Sequence, residues 1–590
     1  MRKEHIYGLL FAALVAPVFT ACSDDDIVIT SETDADYVGK GNDVFDASEW
    51  YPGGELGTTN NTAGNCYSDE APAIAAQGLT DAFFEGEQLF EQQYTLNTGM
   101  FKGLGPASVR RSCLDCHPNY GHGKRKDSYT TSYGNGNGYL LVIYDAKTPD
   151  SNDGAYISQV TGMPQTQAAS PFKAPIDESQ IQLTWKNVTA MESGLEMKFP
   201  KDGETFSLSY PEVYIPREAF RTNPNPYDKY TYVGFRLEST IGVIGTGLID
   251  AIPSDSIAAQ YAKEAAYFRQ AGLDVSEYLS TSFWDESKQQ MASSAYYPQF
   301  GRDGKPTAAA GNGVHADGTP FDGTNMIKRY TYALTRGSLQ DGPGANAIWN
   351  ITNVSRQDRA YLYSTEPWAK AMSEDADVIA KIKADPTSPY YADGTDEGIK
   401  NAVYNLLLPT TNQFDNEWHN FTPEQTMDQY YAFAVWHRGL AIPRARNLND
   451  AAVQKGKQLF MQWGCAECHR PKWQTTDDNY ITSSLIADKP LPRYQKQTIY
   501  PYSDFVQHKL YMKNDIHGSW CRTTPLWGRG LSRINTGAED RLHDCRAKNE
   551  VEAIMWHCYS QKSHAYRSGL NFYNATKEER DAVVKFLQSI

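Results

Sequence analysis

The sequence predicts a mainly α-helical protein of two related helical units, the first carrying a large mixed α/β, loop-rich insertion. Three observations predict it. A short segment recurs as Gly86-Glu87-Gln88-Leu89-Phe90 and Gly456-Lys457-Gln458-Leu459-Phe460, and each copy leads into a Cys-x-x-Cys-His motif. The chain closes on Thr576-Lys577-Glu578-Glu579, a capping box, with Ala582, Val583, Phe586 and Leu587 then falling on one helical face. Between the motifs lies a long stretch rich in Gly, Tyr, Asn and Asp.

Each element has a local reason. Asp450 caps a helix through Trp463, whose buried stripe is Val453, Gly456, Leu459 and Phe460. Breaks are expected at 133–138, 302–324 and 384–396, where Gly, Pro, Asn and Asp cluster. Alternation between 201 and 251 predicts short strands, one over Phe206 to Tyr210. Gly242, Gly245 and Gly247 do not fit a dinucleotide fingerprint and read as close backbone packing.

Composition bounds the function. With 590 residues, 40% hydrophobic and 21% charged, the chain is an ordinary globular body and not a multi-span transporter. A net charge of −16 repels phosphate backbones, which excludes nucleic acid as a partner when no basic patch offsets it. The amino terminus reads as a signal. Arg2 and Lys3 precede an apolar run, Gly8 to Ala21, too short to span a bilayer, and small residues lead to Cys22. That junction resembles a lipobox, so residues 1–21 are a lipoprotein signal peptide and Cys22 is the acylated anchor. Acyl chains partition into a bilayer at about 0.8 kcal/mol per CH₂. The acidic run after Cys22 resembles a surface-export signal, and the expected location is the cell envelope, at the periplasmic or surface face of the outer membrane.

The two motifs carry the chemistry. Cys113-Leu114-Asp115-Cys116-His117 and Cys465-Ala466-Glu467-Cys468-His469 are both Cys-x-x-Cys-His, the attachment pattern of c-type haem. Two thiols on one turn reach the two vinyl groups of one haem while the adjacent imidazole reaches the iron. Zinc needs both halves of a Cys₄ site close together, and a redox dithiol needs no histidine. The expected cofactors are two covalently bound haem c, with Cys113, Cys116, Cys465 and Cys468 as attachment points and His117 and His469 as iron ligands. The units then read as class I cytochrome c-like haem domains, an N-terminal one over 51–440 with its insertion and a C-terminal one over 441–590, after a tether at 22–50.

Further stretches resemble one family. Gly103-Leu104-Gly105-Pro106, Gly245 to Ile252, Pro501-Tyr502-Ser503-Asp504, Arg522 to Gly528, His543-Asp544-Cys545-Arg546 and Trp556-His557-Cys558 are together similar to the bacterial di-haem oxidoreductases of the peroxidase or thiol-oxidoreductase type, distant relatives of di-haem cytochrome c peroxidases. Residues 292–424 match that pattern poorly. The resemblance implies a sixth ligand near Met512 for the second haem, with Met555 or a histidine as alternatives. It also implies a disulfide between Cys545 and Cys558, which replace two glycines of the family, leaving Cys66 and Cys521 as a remainder. Gly121-His122-Gly123 stands where the family has a Gly-Arg-Gly run, and His122 is a pocket candidate. Arg236 and Glu238 are candidates for a distal acid and base, since O–O cleavage needs a proton shuttle; no catalytic residue is assigned.

Three functions follow. The first is a lipid-anchored, peroxidase-like oxidoreductase with one electron-transfer haem and one reactive haem, its partners a membrane, an unnamed redox protein and a small oxidant such as peroxide. The second is a pure electron-transfer cytochrome. The third is a redox component of envelope iron or haem handling.

Overall fold

The computed structural model describes residues 34–95, 105–130, 136–297, 326–337, 339, 347–355, 362–408, 424–478, 486 and 488–590. The signal peptide at 1–21, the lipidation residue Cys22 and the break expected at 302–324 lie outside the described residues. The protein is 37% helix and 14% strand, distributed over several small sheets. It is therefore a mixed α/β protein, and the expectation of a mainly α chain of two cytochrome c-like domains is corrected. Two physical reasons account for the difference. Alternating segments of the middle region satisfy their backbone groups in local strand pairs, and the apolar faces of both duplicated segments are buried together with the rest of the chain.

The helices used below are α1 (Thr80–Glu91), α2 (Ser254–Gln270), α3 (Glu366–Glu374), α4 (Asp396–Leu407), α5 (Met427–Gly439), α6 (Ala451–Gln462), α7 (Glu550–His557), α8 (Tyr566–Tyr573) and α9 (Lys577–Ser589). The strands are β1 (Tyr139–Ala146), β2 (Gly154–Tyr156), β3 (Gln182–Asn187), β4 (Ser209–Tyr214) and β5 (Val233–Ser239). β1 lies between β2 and β5, antiparallel to both, with Val142 opposite Arg236. β3 and β4 pair antiparallel with Trp185 opposite Pro211. The strand expected over Phe206 to Tyr210 begins later, at Ser209, because Phe206 packs its ring on Phe199 at 5.0 Å.

Two helix crossings organise the molecule, α1 on α5 and α6 on α9. Each uses the glycine of the repeated segment. A Cβ on Gly86 would run into the Ala432 carbonyl and Trp436 Cβ, and one on Gly456 into the Ala582 carbonyl and Phe586 Cβ. The phenylalanine one turn on then meets the partner's aromatic ring, Phe90 to Trp436 at 4.3 Å and Phe460 to Phe586 at 5.3 Å. Local signals start these helices. Asp450 accepts from the Ala452 and Val453 amides, and Thr576 with Glu579 closes the capping box of α9 as the sequence predicts. The same box, Thr426 with Gln429, starts α5.

The core ignores the boundary drawn at 440. One apolar cluster unites Phe83, Phe90 and Leu248 with Trp436 and with Trp473, Tyr494, Phe505 and Trp527. Another joins Val188, Met191 and Phe199 of the insertion to Leu459, Trp556 and Phe572. Arg580 of α9 reaches back to Asp202 at 2.9 Å and Glu204 at 2.7 Å. Part of the stretch read as a tether is also core, since Phe45 and Trp50 are buried beside Phe460 and Phe586. A separate apolar cluster holds α3 and α4 against Phe172. Among the described residues no helix is long and apolar enough to cross a membrane.

The crossings make a prediction. Gly456→Ala forces a methyl group against the backbone of α9, which cannot move aside as a flexible side chain would. We expect a loss of about 1–3 kcal/mol, read as a lower urea midpoint with unchanged slope; a midpoint equal to that of the unaltered protein would show that the approach is not tight.

Candidate functional site

Both Cys-x-x-Cys-His motifs fold as the same 3₁₀ turn, Cys113–Asp115 and Cys465–Glu467. In each the histidine amide returns to the first cysteine carbonyl, at 2.9 Å for His117 and 3.0 Å for His469. Ser112 opens the first turn by accepting from the Leu114 amide. Gly464, at φ +82°, opens the second in the left-handed region that glycine enters freely. The helix crossings place the two turns alike. Phe90 lies 5.9 Å from the His117 ring and Phe460 lies 6.2 Å from the His469 ring. Phe90 also stacks on Tyr120 at 5.3 Å, whose hydroxyl is held by Glu91 at 2.6 Å and Glu87 at 2.9 Å.

The donor chemistry fits haem attachment. Burial holds the His117 and His469 imidazoles down at about 4, so both are neutral near pH 7 with a lone pair free for iron. Burial pushes the thiols up, Cys116 to about 11 and Cys465 to about 12, with Cys113 and Cys468 also raised. Uncharged thiols are compatible with conversion to thioethers, which carry no charge. The buried Nδ1 atoms of His117 and His437 make no well-aligned hydrogen bond, although the Gly121 and Ile241 backbones partly offset the effect of burial on His117.

A second histidine stands near each motif, and neither is placed by the attachment pattern. His437, on α5 next to Trp436, is buried and held at about 3, by burial first and by the charge of His117 second. His557 ends α7 with its ring centre 6.5 Å from that of His469. The only sequence signal for His437 is its helical position after Trp436, and the partner role of α5 cannot be read from a segment so distant from α1.

The remaining candidates fall as follows. Met512 is 5% exposed, in one apolar cluster with Met555, Trp556 and Phe572. His122 has both ring nitrogens engaged, Nδ1 near the Gly123 carbonyl at 2.9 Å and Nε2 near the Tyr332 hydroxyl at 2.9 Å, which makes it a positioned pocket residue. Arg236 donates from Nε to the Asp515 carbonyl at 3.0 Å. Glu238 faces Asp544, and burial with that charge raises its carboxyl to about 7. Gly247 does serve close packing, against the Arg438 carbonyl.

The expected disulfides do not form. Cys545 and Cys558 are free and buried in different apolar clusters. Cys545 Sγ donates to Ser239 Oγ at 3.2 Å, and Cys558 Sγ to the Met555 carbonyl at 3.5 Å. Cys66 lies against Asn535 and Cys521 beside the Arg522 carbonyl, so the remainder pair is not made either. Each thiol fills a packing site of its own.

One trio among the described residues has the spacing of a metal site, Cys468, Asp504 and His508, whose ligand atoms lie within 4.8 Å of one another. It competes with haem for Cys468. His508 Nε2 is already bound to Asp504 at 2.8 Å, and a thiol committed to a thioether leaves a two-residue pair.

Buried charge locks the neighbourhood of the first motif. Arg438, next to His437, pairs with Asp250 and Asp478, and all three side chains are 0% exposed. Its Nε donates to the Pro492 carbonyl at 2.6 Å, and the Tyr494 hydroxyl donates to the Arg438 carbonyl at 2.6 Å.

Residues 395–590 match the model of the family described as "Di-haem oxidoreductase, putative peroxidase". This is the family that the ordered motifs resemble, and the matched region contains the second Cys-x-x-Cys-His, Arg522 to Gly528 and Trp556 to Cys558. No curated protein matches the chain. Among solved structures, "Kuenenia stuttgartiensis Hydrazine Synthase Pressurized with 20 bar Xenon" aligns at 14% identity and a TM-score of 0.18, over 30% of this chain and 58% of that one. The chain thus spans less than two thirds of that protein, and superposition at this level carries no argument.

Two predictions follow. Arg438→Ala removes the shortest ion-pair partner of two buried carboxylates, leaving Asp478 the longer pair with Arg493 at 3.8 Å and Asp250 the Tyr330 hydroxyl, and we expect about 3–5 kcal/mol lost in urea unfolding; a loss below about 1 kcal/mol, the scale of exposed pairs, would show that water reaches the triad. Glu238 is raised in the folded state from its ordinary 4.5 to about 7, so its contribution is fully present below pH 4.5 and fades as pH climbs through about 7. Glu238→Gln, neutral throughout, should flatten that part of the stability–pH profile; a profile unchanged between pH 4.5 and 7 would place the carboxyl in water.

Proposed function

We propose that this protein is an extracytoplasmic di-haem c-type oxidoreductase, anchored to a membrane of the cell envelope through Cys22, with peroxidase-like chemistry. The observation that supports it most is the duplicated site: the same glycine crossing, aromatic contact and 3₁₀ turn present a neutral imidazole beside two neutral thiols twice. The first haem would be held by Cys113, Cys116 and His117, and the second by Cys465, Cys468 and His469. Bound haem supplies one-electron chemistry at iron. The chain's own groups do the rest. Phe90, backed by Trp436, and Phe460, backed by Phe586, pack beside the half-buried imidazoles. The Tyr502 carbonyl, 3.0 Å from His469 Nδ1, fixes which nitrogen carries the proton.

In this reading one haem exchanges electrons with a redox protein and the other meets a small oxidant such as peroxide. A second reading, a pure electron-transfer relay, is favoured by the second histidine near each motif, His437 and His557. The full chain, matured in a host that attaches c-type haem, tests both. Pyridine haemochrome analysis should give two haems per chain, and one each for Cys113→Ala/Cys116→Ala and Cys465→Ala/Cys468→Ala. Fewer than two in the unaltered chain would overturn the di-haem reading. Peroxide-dependent reoxidation of the reduced protein is expected for the peroxidase-like enzyme; a two-haem protein indifferent to peroxide in its half-reduced and fully reduced forms selects the relay.

A further inference from the structure

We infer that His557, and not Met512, is the second axial ligand of the haem carried by Cys465, Cys468 and His469, an assignment that rests on the haem reading of that site. Two imidazoles on opposite sides of one iron, each with a metal–nitrogen bond of ~2 Å and ~1.1 Å more to the ring centre, place their ring centres ~6.3 Å apart. The ring centres of His469 and His557 are 6.5 Å apart. Their planes are inclined by 45°, which such a pair permits, because each ring turns freely about its own bond to the metal.

The ring nitrogens agree with the spacing. His469 Nδ1 lies 3.0 Å from the Tyr502 carbonyl, and His557 Nδ1 lies 2.7 Å from the Ala553 carbonyl. A carbonyl accepts only from a protonated Nδ1, so in both residues the lone pair is on Nε2. This is the outer arrangement that orients metal-bound histidines. His557 is also well held. It ends a helix capped by Asn549, whose side chain accepts from the Glu552 amide. Its neighbour Trp556 is buried under the Arg546 guanidinium at 4.6 Å, and Cys558 is packed against Gly569.

The other histidines near this motif have a ring nitrogen engaged. Met512 and Met555 lie in the apolar cluster with Phe572 and Val583. His508 spends Nε2 on Asp504, and His564 Nδ1 accepts from the Lys509 amide at 3.3 Å. The duplicated design explains why the ligand comes from α7. The position after the crossing aromatic is His437 on α5 but Leu587 on α9, so the second site recruits its histidine from a different helix.

Spectroscopy of the haem-loaded full chain tests this. The oxidised protein should show low-spin bis-imidazole iron by low-temperature EPR and lack the far-red absorption band of a ferric iron–sulfur(Met) bond. His557→Gly should convert one of the two haems to high spin with the pyridine haemochrome content unchanged, and added imidazole should restore the low-spin signal. His557→Met, which keeps the bulk of the side chain, should stay low-spin, gain the sulfur band and raise the potential of that haem. Met512→Leu should alter neither signal. Loss of a low-spin signal in Met512→Leu, or unchanged spectra of both haems in His557→Gly, would overturn the assignment. A failure of the haem reading is distinct: the unaltered chain would then carry no haem on Cys465 and Cys468, and the assignment would fall with it.

Discussion

Close backbone approach at two glycines is the constraint on which the rest of the structure depends. Gly86 and Gly456 allow α1 to lie on α5 and α6 on α9 at a separation that any side chain would prevent. Once the helices are that near, the phenylalanine one turn on has a single place to go, against an aromatic of the partner helix. The Cys-x-x-Cys-His turn follows each helix and inherits its position from that contact. A repeated pentapeptide thus becomes a repeated arrangement of crossing, aromatic contact and turn, although the partner helix is distant along the chain in both cases: α5 is reached only after the whole insertion, and α9 at the chain's end.

Burial then sets the chemistry. The imidazoles and thiols of both motifs are kept neutral because charge is expensive where they sit, with the first motif's cysteines buried and the second's half-buried. Neutral groups of this kind are what covalent attachment and iron ligation require. Buried charges nearby are held by carboxylates or carbonyls: Arg438 lies between Asp250 and Asp478, while Arg329 and Arg522 donate to main-chain carbonyls. That triad ties α5, and with it His437, to the loop holding Asp478 and Tyr494. One continuous core joins the two motif regions, so their relative placement is a property of the packed interior and not of a linker.

The two sites are alike at the attachment side and differ opposite it. His437 follows the crossing aromatic of α5, while the second site draws His557 from α7. Duplication accounts for the shared half, and separate recruitment for the other. On the di-haem reading proposed above, such an asymmetry would give the two irons different surroundings, as an oxidoreductase that takes electrons at one centre and uses them at the other needs. Second histidines near both motifs are equally at home in a relay.

Much of this protein was legible in the order of its residues. The two Cys-x-x-Cys-His turns, the repeated helix before them, the Asp450 cap and the Thr576 capping box all depend on contacts within a few positions, so local chemistry suffices to read them. The fold class was not legible, because whether alternating segments pair into strands and whether two repeats bury one core or two are decided by distant partners. Nor was the pairing of cysteines: Cys545 and Cys558 are close in sequence, yet their side chains enter different apolar clusters. Sequence alone determined the Cys-x-x-Cys-His pattern of each motif and the local turn it forms. Only the tertiary structure decided what stands opposite, since the side chain facing His469 comes from a helix whose place is fixed by long-range packing and by no spacing along the chain.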